Sequence, residues 1–218
     1  MLSKNMSYKK TYKESCKNIS KISLALIVLV ILGGCSSSAS VQVDRTFPKV
    51  LGEPKSVTAS IVFLEDFSTF VAQPNENTVI DIGTAQVGVL QDAFAGLCND
   101  VEFGPSRDQI TNTKGLVITP SVREVQVSTP SDNYLNVFEV WIKYNLEIQS
   151  VDGDPIDSWF MPAYGKTPDT FMYSKPKAIE EAAVIALRDA GAKLMLDFYR
   201  IPAIYGWMME RQILEGSQ

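Results

Sequence analysis

The chain of 218 residues contains no histidine. Histidine is the side chain that most readily changes its charge near neutral pH, so serine–histidine–aspartate and cysteine–histidine catalysis and histidine metal sites are all excluded. The sequence also has no G-x-S-x-G nucleophile motif, no phosphate-binding P-loop and no Cys-x-x-Cys pair. These absences predict a protein without enzymatic activity, bound metal or cofactor.

The apolar run near the N-terminus is too short to cross a membrane. It extends from Ile22 to Leu32, eleven residues without charge, whereas a membrane-spanning helix needs about 20. Six lysines precede it and are opposed only by Glu14. A basic start, a short apolar run and small residues at its end are typical of a signal peptide, here residues 1–34.

The end of this leader, Leu32-Gly33-Gly34-Cys35, resembles the lipobox of bacterial lipoproteins. The resemblance implies cleavage between Gly34 and Cys35, a diacylglycerol on the Cys35 thiol and an N-acyl chain on the new amino group. Two or more acyl chains anchor a protein stably. In enterobacterial-type lipoproteins an aspartate after the cysteine favours the inner membrane, so Ser36 implies the outer membrane. The alternative is an ordinary secretory signal.

Cysteine is otherwise scarce. Once Cys16 leaves with the leader and Cys35 carries lipid, Cys98 has no cysteine in the chain with which to form a disulfide. It lies on or beside the apolar stripe of a predicted helix, so we interpret it as a small buried side chain. An intermolecular disulfide or a reactive thiol is the alternative.

The processed chain is acidic. The leader carries six of the 20 basic residues and one of the 25 acidic ones. The processed chain therefore has 14 basic and 24 acidic residues and a net charge of −10. Such a surface argues against nucleic acid as a partner and against electrostatic binding to anionic lipid. The predicted membrane contact is therefore the lipid anchor, with the domain facing the periplasm.

Composition and periodicity divide the processed chain into three parts. Residues 35–55 are rich in serine and then broken by proline and glycine, which predicts a lipidated flexible tether. Residues 56–200 alternate between strand and helix periods, and residues 201–218 form an aromatic-rich C-terminal tail. Fully extended at about 3.3 Å per residue, this tether would let the domain stand roughly 60 Å from the membrane.

Periodicity within residues 56–200 predicts a single α+β domain. Strict alternation marks strands at 57–63 and 138–149, and Gly115 to Val127 is also strand-like, with Pro120 at an edge or a bulge. Helix spacing is found at 84–99 and again after Ser174-Lys175-Pro176. We expect a mostly antiparallel sheet with two main amphipathic helices on one face. This order of elements resembles small periplasmic accessory domains of envelope lipoproteins, such as the lipopolysaccharide-assembly lipoprotein and the N-terminal domain of the Tol translocation protein.

Aromatic and methionine side chains are the candidate partner-binding residues. They are concentrated in two predicted loop or terminal segments, and such residues are enriched in protein interfaces. The alternative is that the tail folds back onto the sheet, and a lipid or glycan contact is a third interpretation. The candidates are Phe160, Met161, Tyr164, Tyr205, Trp207 and Met208.

Three functions remain open. The first is a non-catalytic outer-membrane lipoprotein that serves as an accessory or scaffold subunit of a cell-envelope complex. The second is a periplasmic carrier of a lipid or hydrophobic ligand, which requires a cavity between helices and sheet. The third is a carboxylate-dependent cell-wall hydrolase, which requires paired carboxylates in a cleft. The acidic clusters are Glu65-Asp66 and Asp152/Asp154.

Replacement of the lipidated cysteine tests the lipobox. We expect Cys35→Ala to remain uncleaved and unlipidated, because the acylated thiol is what the signal peptidase of this class recognises. Intact-mass measurement of the membrane-extracted protein checks this. Normal maturation of the variant with unchanged membrane fractionation would contradict the lipobox interpretation.

Overall fold

Two mixed sheets and five helices form the part of the chain that a computed structural model describes, residues 39–43 and 53–216, with residues 212–216 described by their backbone alone. The strands are β1 (Ala39–Gln42), β2 (Lys55–Val62), β3 (Val71–Asn75), β4 (Thr78–Asp81), β5 (Cys98–Gly104), β6 (Leu116–Ser128), β7 (Val137–Ser150) and β8 (Pro155–Pro168). The helices are α1 (Glu65–Ser68), α2 (Gly83–Leu97), α3 (Pro130–Asn133), α4 (Lys175–Asp197) and α5 (Pro202–Gly216). The predicted α+β fold is confirmed.

The larger sheet has the strand order β5-β2-β6-β7-β8 and the smaller sheet the order β1-β4-β3. In the larger sheet β6, β7 and β8 are antiparallel neighbours, as expected. However, β2 is parallel to both β5 and β6, so the sheet is more mixed than expected. The chain passes through α2 between β2 and β5, and such a helical connection lets it return in the same direction.

Alternation along β7 places its apolar side chains on the covered face of the larger sheet. The inward residues Phe138, Val140, Ile142, Tyr144, Leu146 and Ile148 are all buried. The Tyr144 hydroxyl donates to Gln86 Oε1 over 3.2 Å, and Gln86 Nε2 donates to the Phe67 carbonyl over 2.6 Å. This chain of hydrogen bonds satisfies the polar groups that join α1, α2 and β7 in the core.

Residues 39–43 correct the predicted tether. Ala39, Val41 and Val43 are buried, and β1 pairs in parallel with β4 from Ala39↔Thr78 onward. The physical reason is a short alternation of apolar and polar residues inside the serine-rich stretch, which supplies one apolar face to the core. Positions 35–38 and 44–52 of the predicted tether, and the leader, lie outside the described residues.

The predicted C-terminal tail is helical. Helix α4 ends at Asp197, and Pro202 is the first residue of α5. Proline suits that position because a backbone N–H in the first turn has no acceptor within the helix, so the N–H that proline lacks costs no hydrogen bond. Ile201 and Ile204 are buried, so the start of α5 belongs to the core.

Helix α4 lies against β8 with backbone near backbone. A Cβ atom added to Gly165 would be 2.0 Å from the Ala182 carbonyl oxygen and 2.5 Å from the Ala186 nitrogen. Small side chains on this face of α4 permit that approach: Ala178, Ala182, Ala183, Ala186 and Ala190 are all buried. The amphipathic helix predicted after Ser174-Lys175-Pro176 is confirmed, with Ala183, Leu187, Ala190 and Leu194 all buried along its apolar stripe.

The same helix also protects the free edge of β8. Asp189 Oδ2 accepts the Tyr164 N–H over 2.9 Å, and Lys193 Nζ donates to the Pro162 carbonyl oxygen over 2.6 Å. Pro162 itself has no N–H to offer to another strand. Blocking of this kind is a recognised means of preventing edge-to-edge pairing between sheets.

The contact at Gly165 predicts a pair of glycine variants with opposite effects. Gly165→Ala should lower the free energy of unfolding by about 3 kcal/mol, because the added methyl group clashes with helix backbone atoms, which cannot rotate out of the way as a side chain can. Gly88→Ala is the control: the space around it is open within 4 Å, and alanine in a helix interior should stabilise by up to about 1 kcal/mol. Urea denaturation measures both, and a neutral Gly165→Ala would contradict the close packing.

Candidate functional site

The outer face of β7 and β8 carries an aromatic surface, Trp141, Phe160 and Tyr164. Trp141 and Tyr164 are cross-strand neighbours whose ring centroids are 4.3 Å apart. Phe160 lies on the same face of β8 and is about half exposed. We call these three residues the sheet surface. Alternation along β7 places Trp141 among the polar outward residues of that strand, where it is the one large aromatic side chain.

The Tyr164 hydroxyl is held within this surface. It donates to Glu139 Oε1 over 2.6 Å. Burial and then the neighbouring Glu139 carboxylate raise the pKa of Tyr164 to about 12, since both disfavour a phenolate. The phenol therefore stays neutral at physiological pH and serves as a flat, hydrogen-bonded contact surface.

Met161 is a wrong candidate. Strand alternation points Phe160 and Tyr164 outward and Met161 inward, where only 1% of the side chain is exposed. Adjacent residues on a strand point to opposite faces of the sheet. A group of consecutive candidate residues is therefore divided between the surface and the core. Met161 contributes to stability and does not reach a partner.

The second group of candidates lies on α5. Tyr205 is exposed, whereas Trp207 and Met208 are partly buried against the core. The Arg211 guanidinium lies 4.5 Å from the centre of the Trp207 ring, a cation–π arrangement. The alternative interpretation, in which the tail folds back, therefore applies to Trp207 and Met208, whereas Tyr205 lies exposed at the surface.

Trp207, Met208 and Arg211 form one wall of a cleft of about 400 Å³. The remaining lining residues lie near the start of β2, near the start of β5 and directly before β6. Gly115 allows this part of the cleft to form: its φ of +104° favours glycine, and a Cβ there would lie 2.2 Å from the Thr58 carbonyl oxygen. The polar lining residues are Ser56, Thr58, Asn99, Asp100, Lys114 and Arg211.

The charges of the cleft differ from those of the whole domain. Two cationic side chains, Lys114 and Arg211, face one carboxylate, Asp100. In a chain of net negative charge this is a locally cationic position beside an indole ring. Periodicity did not predict it, because the contributing residues are far apart in sequence.

A glutamate on β5 holds the loop that leads to Lys114. Its carboxylate, Glu102, accepts hydrogen bonds from the Ser60 hydroxyl (2.7 Å), from the Thr111 backbone and hydroxyl, and from the Asn112 N–H (2.8 Å). Partial burial raises the pKa of Glu102, but these donors outweigh it and lower the pKa to about 2.

Arg107 fixes the other part of this loop. Its guanidinium donates to Gln149 Oε1 and to the Val151 carbonyl oxygen, each over 2.8 Å. The loop is therefore fastened both to β5 and to the turn between β7 and β8. The wall of the cleft that contains Lys114 is consequently a positioned structure.

Cys98 is buried, as predicted. Its sulfur lies 3.7 Å from the Tyr199 hydroxyl oxygen, and that hydroxyl donates to the Leu97 carbonyl oxygen over 2.7 Å. Burial raises the pKa of the Cys98 thiol to about 11 despite the contact with Tyr199. A thiol with this pKa is almost entirely protonated at neutral pH and reacts slowly.

The acidic clusters that were considered for hydrolysis lie on the surface. Glu65 and Asp66 are exposed in the first turn of α1, and Asp152 and Asp154 are exposed around the turn between β7 and β8. None of these four carboxylates lines the cleft. Within the described ranges no group of three or more cysteine, aspartate or glutamate side chains is placed to hold a metal ion.

The predicted lipidation and cleavage positions, Cys35 and Gly34, lie outside the described residues. Among the helices that are described, none combines the length and the apolar character needed to cross a bilayer.

The bonds around Glu102 predict a pH effect. Its lowered pKa means that the carboxylate stabilises the fold above the unfolded-state pKa of about 4.3 and loses this contribution as the pH falls towards 2. Glu102→Gln should cost about 1 kcal/mol or more at pH 7 and flatten the loss of stability between pH 4.3 and 2. Urea denaturation across this range, with Glu147→Gln as the exposed control, measures it. Parallel pH profiles for Glu102→Gln and wild type would contradict the assignment.

Comparisons with known proteins give only fold likeness. No protein-family model matches the chain, and no curated protein matches its sequence. Similar solved structures include a candidate lipoprotein from Caulobacter crescentus, with a TM-score of 0.39 and 14% identity over 70% of this chain and 91% of that chain. A minor lipoprotein from Acinetobacter baumannii has a TM-score of 0.31 and 10% identity, over 64% of this chain and 94% of that chain. A candidate homologue of a neuraminyllactose-binding haemagglutinin from Helicobacter pylori has a TM-score of 0.37 and 13% identity, over 69% of this chain and 91% of that chain. Likeness at this level bears on no functional conclusion.

Proposed function

We propose that the chain is a non-catalytic lipoprotein, anchored in the outer membrane through Cys35, that acts as an accessory or scaffold subunit of a cell-envelope complex. The observation that carries the proposal is Leu32-Gly33-Gly34-Cys35 at the end of a short apolar run. The diacylglycerol and the N-acyl chain hold the acidic domain on the periplasmic side. Ser36 supports sorting to the outer membrane.

The sheet surface is the part of the domain that would contact a protein partner. Trp141, Phe160 and Tyr164 are rigid, partly exposed aromatic groups, and such side chains give large contact area for little loss of conformational freedom. The β8 edge beside this surface is blocked by Asp189 and Lys193. Contact through side chains is therefore favoured there over strand addition to β8.

The interior supports this proposal over the carrier alternative. Helix α4 lies so close to β8 at Gly165 that no ligand fits between their backbones there. The cleft beside Trp207 is lined mainly by polar groups, whereas a carrier of hydrophobic ligands needs a largely apolar cavity.

Site-specific photo-crosslinking in intact cells tests the proposal. A crosslinking amino acid at Phe160 should capture a specific envelope protein, because this residue lies beside the Trp141–Tyr164 pair. The same group at Leu196, an equally apolar position on α4, is the matched control and should capture none. Reciprocal crosslinking from the captured protein back to β7 or β8 must also succeed. Identical adduct patterns at the two positions, or none at either, would contradict the proposed docking.

A further inference from the structure

Two loops meet at one end of the larger sheet. The loop between β6 and β7 and the loop between β8 and α4 flank the paired residues Val137 and Pro168. The Asp169 N–H donates to the Asn136 carbonyl oxygen over 3.0 Å, which joins the two loops. We call the apolar residues that they present the tip: Tyr134, Leu135, Met172 and Tyr173.

The tip is the most exposed apolar part of the described chain. Tyr173 is 92% exposed, Tyr134 87%, Met172 69% and Leu135 66%, the highest values among large hydrophobic side chains in residues 39–43 and 53–211. Side chains this exposed have almost no protein around them, so they project from the domain. Exposed apolar groups that lie together mark a contact with a partner or a membrane.

The backbone of the tip is held in an unfavourable conformation. Tyr134, Asn136, Met172 and Tyr173 have φ values of +57°, +55°, +48° and +48°, and these are all the non-glycine residues with positive φ in the described part of the chain. Each such residue costs on the order of 1 kcal/mol. Surrounding structure must therefore maintain this arrangement.

Hydrogen bonds supply that support. The Asn133 side chain accepts the Leu135 N–H over 2.9 Å and donates to the Val137 carbonyl oxygen over 3.0 Å. Thr129 and Asp132 form a capping box at the start of α3. The tip is thus a braced projection that presents its side chains to the outside.

Charge and shape favour a lipid surface as the occupant. Residues 133–138 and 170–174 contain no charged side chain, and exposed Asp132 and Asp169 directly precede them. The four apolar side chains can therefore enter a region of low polarity if these two carboxylates stay in the hydrated headgroup layer. Its four side chains project outward with most of their surface exposed. Tyrosine prefers the boundary between headgroups and acyl chains, where its ring is apolar and its hydroxyl is hydrated.

The position of β1 brings the domain close to the membrane. Only residues 36–38 separate Cys35 from Ala39, the first residue of β1. This link spans at most about 14 Å, far less than the 60 Å expected of a long tether. A domain held this closely has part of its surface at the headgroups.

We propose that the tip inserts into the boundary between the headgroups and acyl chains of the membrane that holds the lipid anchor. Leu135, Met172 and the rings of Tyr134 and Tyr173 contact the upper part of the acyl chains, and the two tyrosine hydroxyls stay among the headgroups. The inference rests on the proposed lipidation of Cys35. Insertion at a second point orients the domain relative to the bilayer.

A fluorescent label on the tip tests the insertion. The full processed protein, with Tyr173→Cys, is labelled with a thiol-reactive environment-sensitive dye and reconstituted into phosphatidylcholine vesicles that contain spin-labelled acyl chains. Buried Cys98 should not react, because its thiol is protonated and enclosed, and lipidated Cys35 has no free thiol. The matched control is Leu196→Cys on α4, which is 65% exposed. Leu135→Cys on the other loop guards against a local effect of one substitution.

We expect the spin-labelled chains to quench the dye about twofold or more at positions 173 and 135 and very little at 196. Replacing part of the phosphatidylcholine by anionic lipid should not increase the quenching, because the tip is uncharged. Equal quenching at all three positions overturns the inference, as does protection of the tip only after an envelope protein is added. Intact mass is measured first: an unlipidated Cys35 refutes the proposed function, whereas a lipidated protein with an unquenched tip refutes the insertion alone.

Discussion

The close approach of α4 to β8 is the constraint on which the rest of the structure depends. Gly165 and the buried alanines of α4 let the helix lie directly on the strand. At that distance Asp189 and Lys193 reach the strand edge. The outer face of β8, which carries Phe160 and Tyr164, is left open, and the start of α4 at Lys175 follows directly after the tip. Both proposed contact surfaces are thus positioned by one helix–strand contact.

The periodicity of the sequence predicted those strands and helices whose buried face is determined by their own residues. The alternation in β7 and the spacing of Leu90, Phe94 and Leu97 in α2 define which side chains enter the core. Pro120 also behaves as expected, because the pairing of β2 with β6 ends at Ile118 and β6 is unpaired on that side beyond it. Whether two neighbouring strands are parallel or antiparallel depends instead on the path of the chain that connects them. The parallel neighbours of β2 were therefore not predictable from periodicity.

The candidate site was predicted in part for the same reason. Aromatic content identified Phe160, Tyr164 and Tyr205, but exposure depends on strand alternation and on what covers each face, so Met161 was assigned to the wrong side. The cleft joins α5 to the starts of three strands, and no short stretch of sequence contains it. The tip was not predicted, because it joins two loops that are far apart in sequence. The uncharged stretches 133–138 and 170–174 are the signal that could have revealed it.

The protected edge of β8 has a consequence for crowding. Molecules held at a membrane, as we propose for this chain, collide far more often, and in fewer orientations, than molecules free in solution. An unprotected fourteen-residue strand would then act as a template on which neighbouring copies could add to one another's sheets without limit. With Pro162 lacking a donor and the adjacent backbone already bonded to α4, the middle of β8 offers no such template to a neighbouring copy.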